Sequence, residues 1–160
     1  MTKPQPGIRC GIGYDTHRLA ADHKLIIGGV EIASPRGLLG HSDGDVLTHA
    51  IADALLGAAG LGDIGQHFSD QDPKWKGANS LRFLITIGAL LKEKGLAIGN
   101  VDSVVVLDEP KLAPHMTKIR KSLAAALDIS PSLVNVKAKT SEGATPDIAA
   151  AHAVVLLTEG

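Results

Sequence analysis

The stretch Asp45 to Ala59 restricts this chain more than any other. Its apolar residues Val46, Leu47, Ala50, Ile51, Ala54 and Leu55 recur at helical spacing, and Gly60 marks the end. A helix with such a stripe must bury it against another element, so the chain needs a second layer. The same helix carries Asp45, His49 and Asp53 at i, i+4 and i+8, which places them on one polar stripe.

The remaining elements follow from period and punctuation. Ile8 to Tyr14 alternates Ile8, Cys10 and Ile12 against Arg9, Gly11 and Gly13, and reads as a strand. Lys24 to Ile32 holds two apolar runs around Gly28-Gly29, a hairpin or bent strand. Ser80 to Lys94 is a second helix, stopped by Gly95. Val101 to Leu107 is a β-branched run and Leu133 to Lys139 alternates, so both are strands. Pro114 to Leu127 is a third helix with proline near its start. Ile148 to Leu157 reads as a strand, although its alanines also suit a helix. The order β-β-α-α-β-α-β-β gives one α/β (α+β) domain over residues 1–160. It is a two-layer sandwich with a mixed four-stranded sheet covered by helices.

Composition removes several classes of function. The aromatics are only Tyr14, Phe68, Trp75 and Phe83, so Ala, Val, Ile and Leu must fill the core. A formal net charge of -1 gives no nucleic-acid surface. Cys10 is the single cysteine, which forbids an intrachain disulfide and fits a reducing, cytoplasmic location. Residues 1–7 lack the apolar core of a secretory signal, and no apolar run approaches membrane-spanning length.

Chemistry concentrates in Gly13-Tyr14-Asp15-Thr16-His17-Arg18 and Gly40-His41-Ser42-Asp43-Gly44-Asp45. On an extended chain Asp15 and His17 point to the same face, about 6.5–7 Å apart. Together with His49 they form a three-ligand N/O set with an open position, the pattern of a catalytic zinc. Asp45 or Asp53 would take the other imidazole N–H of His49. Each residue also has an ordinary reading: Asp45 as a helix N-cap, His49 as a helix-surface histidine. Spacing leaves both open. His23, His115 and His152 stand apart from this grouping.

Several turns suit anions. In Gly60-Leu61-Gly62-Asp63-Ile64-Gly65 the glycines let backbone N–H groups approach a ligand, or simply close the helix. Phe68-Ser69-Asp70-Gln71-Asp72-Pro73 reads as a solvated loop, and Leu107-Asp108-Glu109-Pro110-Lys111-Leu112-Ala113 as a connection with a cation. Lys139-Thr140-Ser141-Glu142-Gly143 combines a cation, hydroxyls and a carboxylate, which suits phosphate and Mg²⁺ or a capped turn. No catalytic triad, Walker loop or dinucleotide fingerprint is present. Cys10, in a strand, reads as core rather than as a nucleophile.

Taken in order, these segments closely resemble the 2-C-methyl-D-erythritol 2,4-cyclodiphosphate synthases of the non-mevalonate isoprenoid pathway. The resemblance runs from Gly11 through Glu142 and over the final strand. It is most specific in His41-Ser42-Asp43-Gly44-Asp45-Val46 through His49, Asp53-Ala54-Leu55-Leu56-Gly57-Ala58 and Gly62-Asp63-Ile64-Gly65. It continues in Asn100-Val101-Asp102, Pro110-Lys111 and Asn135-Val136-Lys137-Ala138.

The resemblance implies a phosphorus–oxygen lyase, a homotrimer with active sites between subunits. The substrate would be 4-diphosphocytidyl-2-C-methyl-D-erythritol 2-phosphate, whose 2-phosphate attacks the β-phosphorus and expels CMP. Asp15, His17 and His49 would hold zinc or another divalent transition metal, Asp15 and His17 also lying against substrate. Glu142 would help hold a second ion, Mg²⁺ or Mn²⁺. His41 and Thr140 would be catalytic, positioning and polarising phosphate. Ser42, Asp63, Ile64, Gly65, Phe68, Ser69, Asp70, Gln71 and Asp72 would meet the erythritol and phosphate side. Leu107, Asp108, Glu109, Pro110, Lys111, Leu112 and Ala113, with Lys139, Thr140, Ser141 and Glu142, would form the cytidine diphosphate pocket. An internal phosphate nucleophile needs no protein nucleophile, which fits the inventory; charge neutralisation and alignment remain for metal ions. A phosphohydrolase and a non-catalytic binding trimer are the competing readings. One departure stands out: Gly143-Ala144-Thr145-Pro146-Asp147 is shorter than the family's glycine-rich segment and lacks its arginine.

Overall fold

The computed structural model describes residues 7–159. Residues 1–6, most of the N-terminal stretch without a signal-like core, lie outside the described residues. Strand β1 runs over Ile8–Ala21, β2 over Leu25–Ile27, β3 over Val30–Ile32 and β4 over Arg36–Leu38. Helix α1 spans Val46–Ala59, α2 Ile64–His67 and α3 Leu81–Glu93. Then come β5 at Leu96–Val106, α4 at Met116–Leu127, β6 at Val134–Lys139 and β7 at Ile148–Glu159. Among the described residues, no helix is long and apolar enough to cross a membrane.

The main sheet has five strands in the order β4-β1-β7-β5-β6 rather than the expected four. Only β5 and β6 run parallel; the other pairs are antiparallel. The extra strand is β4, which pairs Leu38 with Leu19 and Arg36 with Ala21. Its three residues are too few to show a period. It finds a partner because β1 continues past Tyr14, through polar residues that carry no strand signal. Ile148–Glu159 is a strand, which settles the helix alternative. The β2–β3 hairpin stands apart as a two-stranded sheet. Its turn residues Gly28 and Gly29 have φ of 58° and 75°, left-handed values that suit a two-residue hairpin loop.

Asp45 holds that hairpin to α1. Its carboxylate accepts from Gly28 N at 2.9 Å and Gly29 N at 2.6 Å, and from Thr48 N at 3.1 Å and Thr48 Oγ1 at 2.7 Å. It is the helix N-cap and is fully buried. Burial, with Asp43 nearby, pushes its pKa up against these donors.

The α1–β1 contact reverses part of the sequence reading. The alternation in β1 is real, but its apolar set faces outward: Ile8 is 62% exposed, Ile12 74% and Tyr14 53%. Cys10, expected in the core, is exposed on that face as well. The glycines face α1 instead. A Cβ on Gly11 would stand 2.0 Å from the Ala54 carbonyl oxygen, and one on Gly13 would stand 1.8 Å from that of Ala50. Backbone therefore packs on backbone, and the missing side chains are what allow it. Gly13→Ala should lower unfolding stability in urea by at least about 1–3 kcal/mol, the usual penalty for overpacking. The same change at Gly57, where the nearest atom is 4.0 Å away, should cost less.

Candidate active site

Asp15 and His17 lie on β1 two and four residues beyond Gly13, so they share its face and turn toward α1. His49 comes from the first turn of that helix and is buried. Asp15 Oδ2 stands 2.9 Å from both His17 Nε2 and His49 Nδ1, and the two nitrogens are 3.4 Å apart. Among the described residues these side chains offer one ligand atom each, all within 4.8 Å of one another. A tetrahedral ion with bonds of about 2.0–2.1 Å sets its ligand atoms about 3.3 Å apart, so the residues fit a metal.

The same proximity controls charge. Burial works against ionisation of Asp15, but the two imidazoles outweigh it and hold its pKa at about 2. Burial also disfavours the His17 cation, and Asp15 reverses that, raising the His17 pKa above 6.5.

The far side of His49 differs from expectation. Neither Asp45 nor Asp53 takes its other nitrogen. Asp45 is committed to the cap, and Asp53 Oδ1 accepts Ile64 N at 2.8 Å, fastening the Gly62–Gly65 loop to α1. Burial raises the Asp53 pKa despite that bond. His49 Nε2 instead meets Ser80 Oγ at 2.8 Å and Ser42 Oγ at 3.0 Å. Ser80 was legible only as a helix start, since the residue lies 31 positions from His49. Phe83 stacks beside the His49 ring at 6.0 Å, and Phe68 and Trp75 pack on Phe83.

The other candidate residues fall into separate groups. Asp63 caps α2 through Gln66 N at 3.0 Å. Ile64 and Gly65 lie within that short helix. Ser69 Oγ accepts Gln71 N at 3.2 Å, Asp72 caps the turn at Lys74, and Asp70 is exposed. Phe68 is buried. His41 Nε2 is buried without a hydrogen-bond partner among the described residues.

At the ends of β5 and β6, Asp108 accepts from Ser141 N at 2.5 Å and Ser141 Oγ at 2.8 Å, and these bonds lower its pKa. Thr140 Oγ1 donates to Glu142 Oε1 at 2.8 Å. Leu107, Lys111, Leu112, Ala113, Lys139 and Thr140, with Ala138, line a cavity of about 160 Å³. Glu109 and Pro110 sit beside Arg36 instead. Arg36 pairs with Asp147 at 2.5 Å and donates to Pro146 O at 3.2 Å, pinning the turn before β7 to β4.

Register places the two halves relative to each other. Thr16 lies opposite Ala150, which lies opposite Val106, which lies opposite Lys139. The metal trio and the Lys139–Glu142 turn thus sit at one end of the sheet but three strands apart, about 14 Å. One chain brings together each half of the expected site, and not the two halves with each other.

Comparison with known proteins gives the family. The sequence pattern of the YgbB family matches residues 8–158. The 2-C-methyl-D-erythritol 2,4-cyclodiphosphate synthase of Gloeobacter violaceus is 54% identical over 156 residues, covering 95% of this chain and 96% of its own length. That of Alkaliphilus oremlandii is 56% identical over 136 residues, covering 85% and 87%. A solved structure of such a synthase in its CDP-bound form superposes with a TM-score of 0.88 at 44% identity, covering 93% of this chain and 99% of that one. A family pattern that spans nearly the whole chain, with a synthase fold and a convergent metal trio beneath it, makes this protein a member of the YgbB family of 2-C-methyl-D-erythritol 2,4-cyclodiphosphate synthases.

Proposed function

We propose that the chain performs the reaction its relatives are named for. It converts 4-diphosphocytidyl-2-C-methyl-D-erythritol 2-phosphate into 2-C-methyl-D-erythritol 2,4-cyclodiphosphate and CMP, in non-mevalonate isoprenoid precursor synthesis. An oxygen of the 2-phosphate forms a bond to the β-phosphorus. The bridging bond from that phosphorus to the CMP oxygen breaks, and CMP keeps the electron pair. The convergence of Asp15, His17 and His49 carries this reading.

A divalent ion on that trio, for which zinc has the best-matched ligands, supplies a Lewis acid to a phosphoryl oxygen. The chain's own residues then bind and align. The buried, unpartnered Nε2 of His41 suits a phosphate oxygen. Asp53 holds the Gly62–Gly65 loop in place for the erythritol side. Thr140 and Glu142, already in contact, present a hydroxyl and a carboxylate to the diphosphate and a second cation, Mg²⁺ or Mn²⁺. Lys111 and Lys139 bring positive charge to the cavity proposed for cytidine diphosphate. Asp108 and Ser141 act through the loop geometry that they fix.

The proposal includes a homotrimer. Two observations support it: the half-sites lie apart within one chain, and the outward face of the sheet presents Ile8, Ile12, Tyr14, Val154 and Leu156. Such a patch on a single chain is the kind of surface that an interface covers. A cytoplasmic location is part of the same reading and rests on Cys10 being the chain's single cysteine.

Incubation with the cytidine substrate, zinc and magnesium, followed by phosphorus NMR, should give CMP and a cyclic diphosphate in equal amounts. A linear phosphate product would instead make the enzyme a hydrolase. His49→Ala should lower turnover more than about a hundredfold, the scale of losing one charge-stabilising group. Sedimentation should give a mass about three times the 16.5 kDa chain, and Ile12→Asp should shift it toward the single-chain value.

Proton competition sets the pH behaviour. In metal-free protein, the raised His17 pKa contributes stability that is complete below pH 6.5 and is lost as pH rises through the elevated value. The lowered Asp15 pKa contributes stability above pH 3.8 that is lost as pH falls toward about 2. The pair therefore stabilises metal-free protein most between pH 3.8 and 6.5. Zinc must displace the His17 proton, so its affinity in chelator competition should tighten from pH 6 to pH 8.

A further inference from the structure

Ser80 is fully buried at the start of α3. Serine is favoured at a helix start because its hydroxyl can accept from the first free N–H groups. Here the hydroxyl makes no cap bond. It turns toward the metal trio instead, reaching His49 Nε2 at 2.8 Å.

Proton counting fixes the direction of that bond. Ser80 Oγ also bonds to Asp43 Oδ1. The other carboxylate oxygen of Asp43 accepts Ser80 N at 2.9 Å, so Asp43 grips Ser80 at two points. An ionised carboxylate only accepts, and a serine hydroxyl has one proton. That proton goes to Asp43, so toward His49 the hydroxyl oxygen can only accept. His49 must then carry a hydrogen on Nε2. Its Nδ1 faces Asp15 Oδ2 at 2.9 Å and His17 Nε2 at 3.4 Å, and there a bound ion would take the place of any hydrogen on Nδ1. Ser42 Oγ also approaches Nε2, at 3.0 Å, but its proton is not claimed by a carboxylate among the described residues. Ser42 can donate or accept, and cannot fix the tautomer alone.

We propose that Ser80, held by Asp43, is a positioning residue that locks His49 in its Nε2-protonated form and so presents Nδ1 to the metal. This rests on the metal reading given above. An outer partner of this kind orients a ligating imidazole and raises its basicity, and its loss costs roughly 10–100-fold in metal affinity.

Zinc affinity, measured by chelator competition on wild type, Ser80→Ala and Ser80→Thr, separates this role from simple core filling. Ser80→Ala should bind zinc roughly 10–100-fold more weakly. Ser80→Thr, which restores the hydroxyl, should recover most of the loss. Histidine side-chain NMR of the zinc-loaded wild type should show a slowly exchanging Nε2–H on His49, absent or fast-exchanging in Ser80→Ala. Equal affinity in wild type and Ser80→Ala, or a threonine variant no better than alanine, overturns the proposal. So does a His49 that carries its proton on Nδ1, a result that needs no variant to fold. Failure of the wild type to bind zinc would overturn the metal reading itself, a different outcome.

Discussion

Everything at this site depends on how closely α1 lies on β1. The two elements touch through backbone, since Gly11 and Gly13 leave no room for a side chain beneath Ala54 and Ala50. That closeness brings a helical histidine within 2.9 Å of an aspartate on a strand. At the roughly 10 Å separation usual for layers with side chains between them, the same residues would face one another across a gap. The metal trio is thus a consequence of two absent side chains.

The proximity also explains why the trio wants a cation. Below the raised pKa of His17, Asp15 and His17 form an ion pair when no metal is bound. A divalent ion would take the place of that proton. The polar groups behind His49 favour the same outcome, because Asp43 and Ser80 keep a hydrogen on Nε2 and leave Nδ1 as the nitrogen that can take an ion. The two sides of the ring agree on what it should bind.

Much of this was legible in the sequence, and the failures have physical causes. The helical period of Val46 to Leu55 placed α1, and the Gly28-Gly29 pair placed the hairpin turn. Asp15, His17 and His49 were legible because strand and helix periods put their side chains in predictable directions. The orientation of β1 was not. Alternation shows that two faces differ, and the apolar one is normally taken as the core. Glycine carries no hydropathy signal, so in the sequence the buried face looks empty and Cys10 reads as core. The partners of His49 were unreadable for another reason. Asp45 and Asp53 are near it in sequence, but each was committed to backbone donors, whereas Ser80 reaches it only through tertiary packing.

Asp45 ties these features to dynamics. One buried carboxylate closes the first turn of α1 and at the same time holds the hairpin loop 16 or 17 residues earlier. Neither piece can open without leaving carboxyl oxygen atoms buried and unpaired, so the two should loosen as one cooperative unit. His49 lies a single residue beyond the last of those bonds. Hydrogen exchange in the β2–β3 turn and escape of a metal from the helix end would then share a common opening step. The β2–β3 turn would thus set how long a metal stays at the helix end.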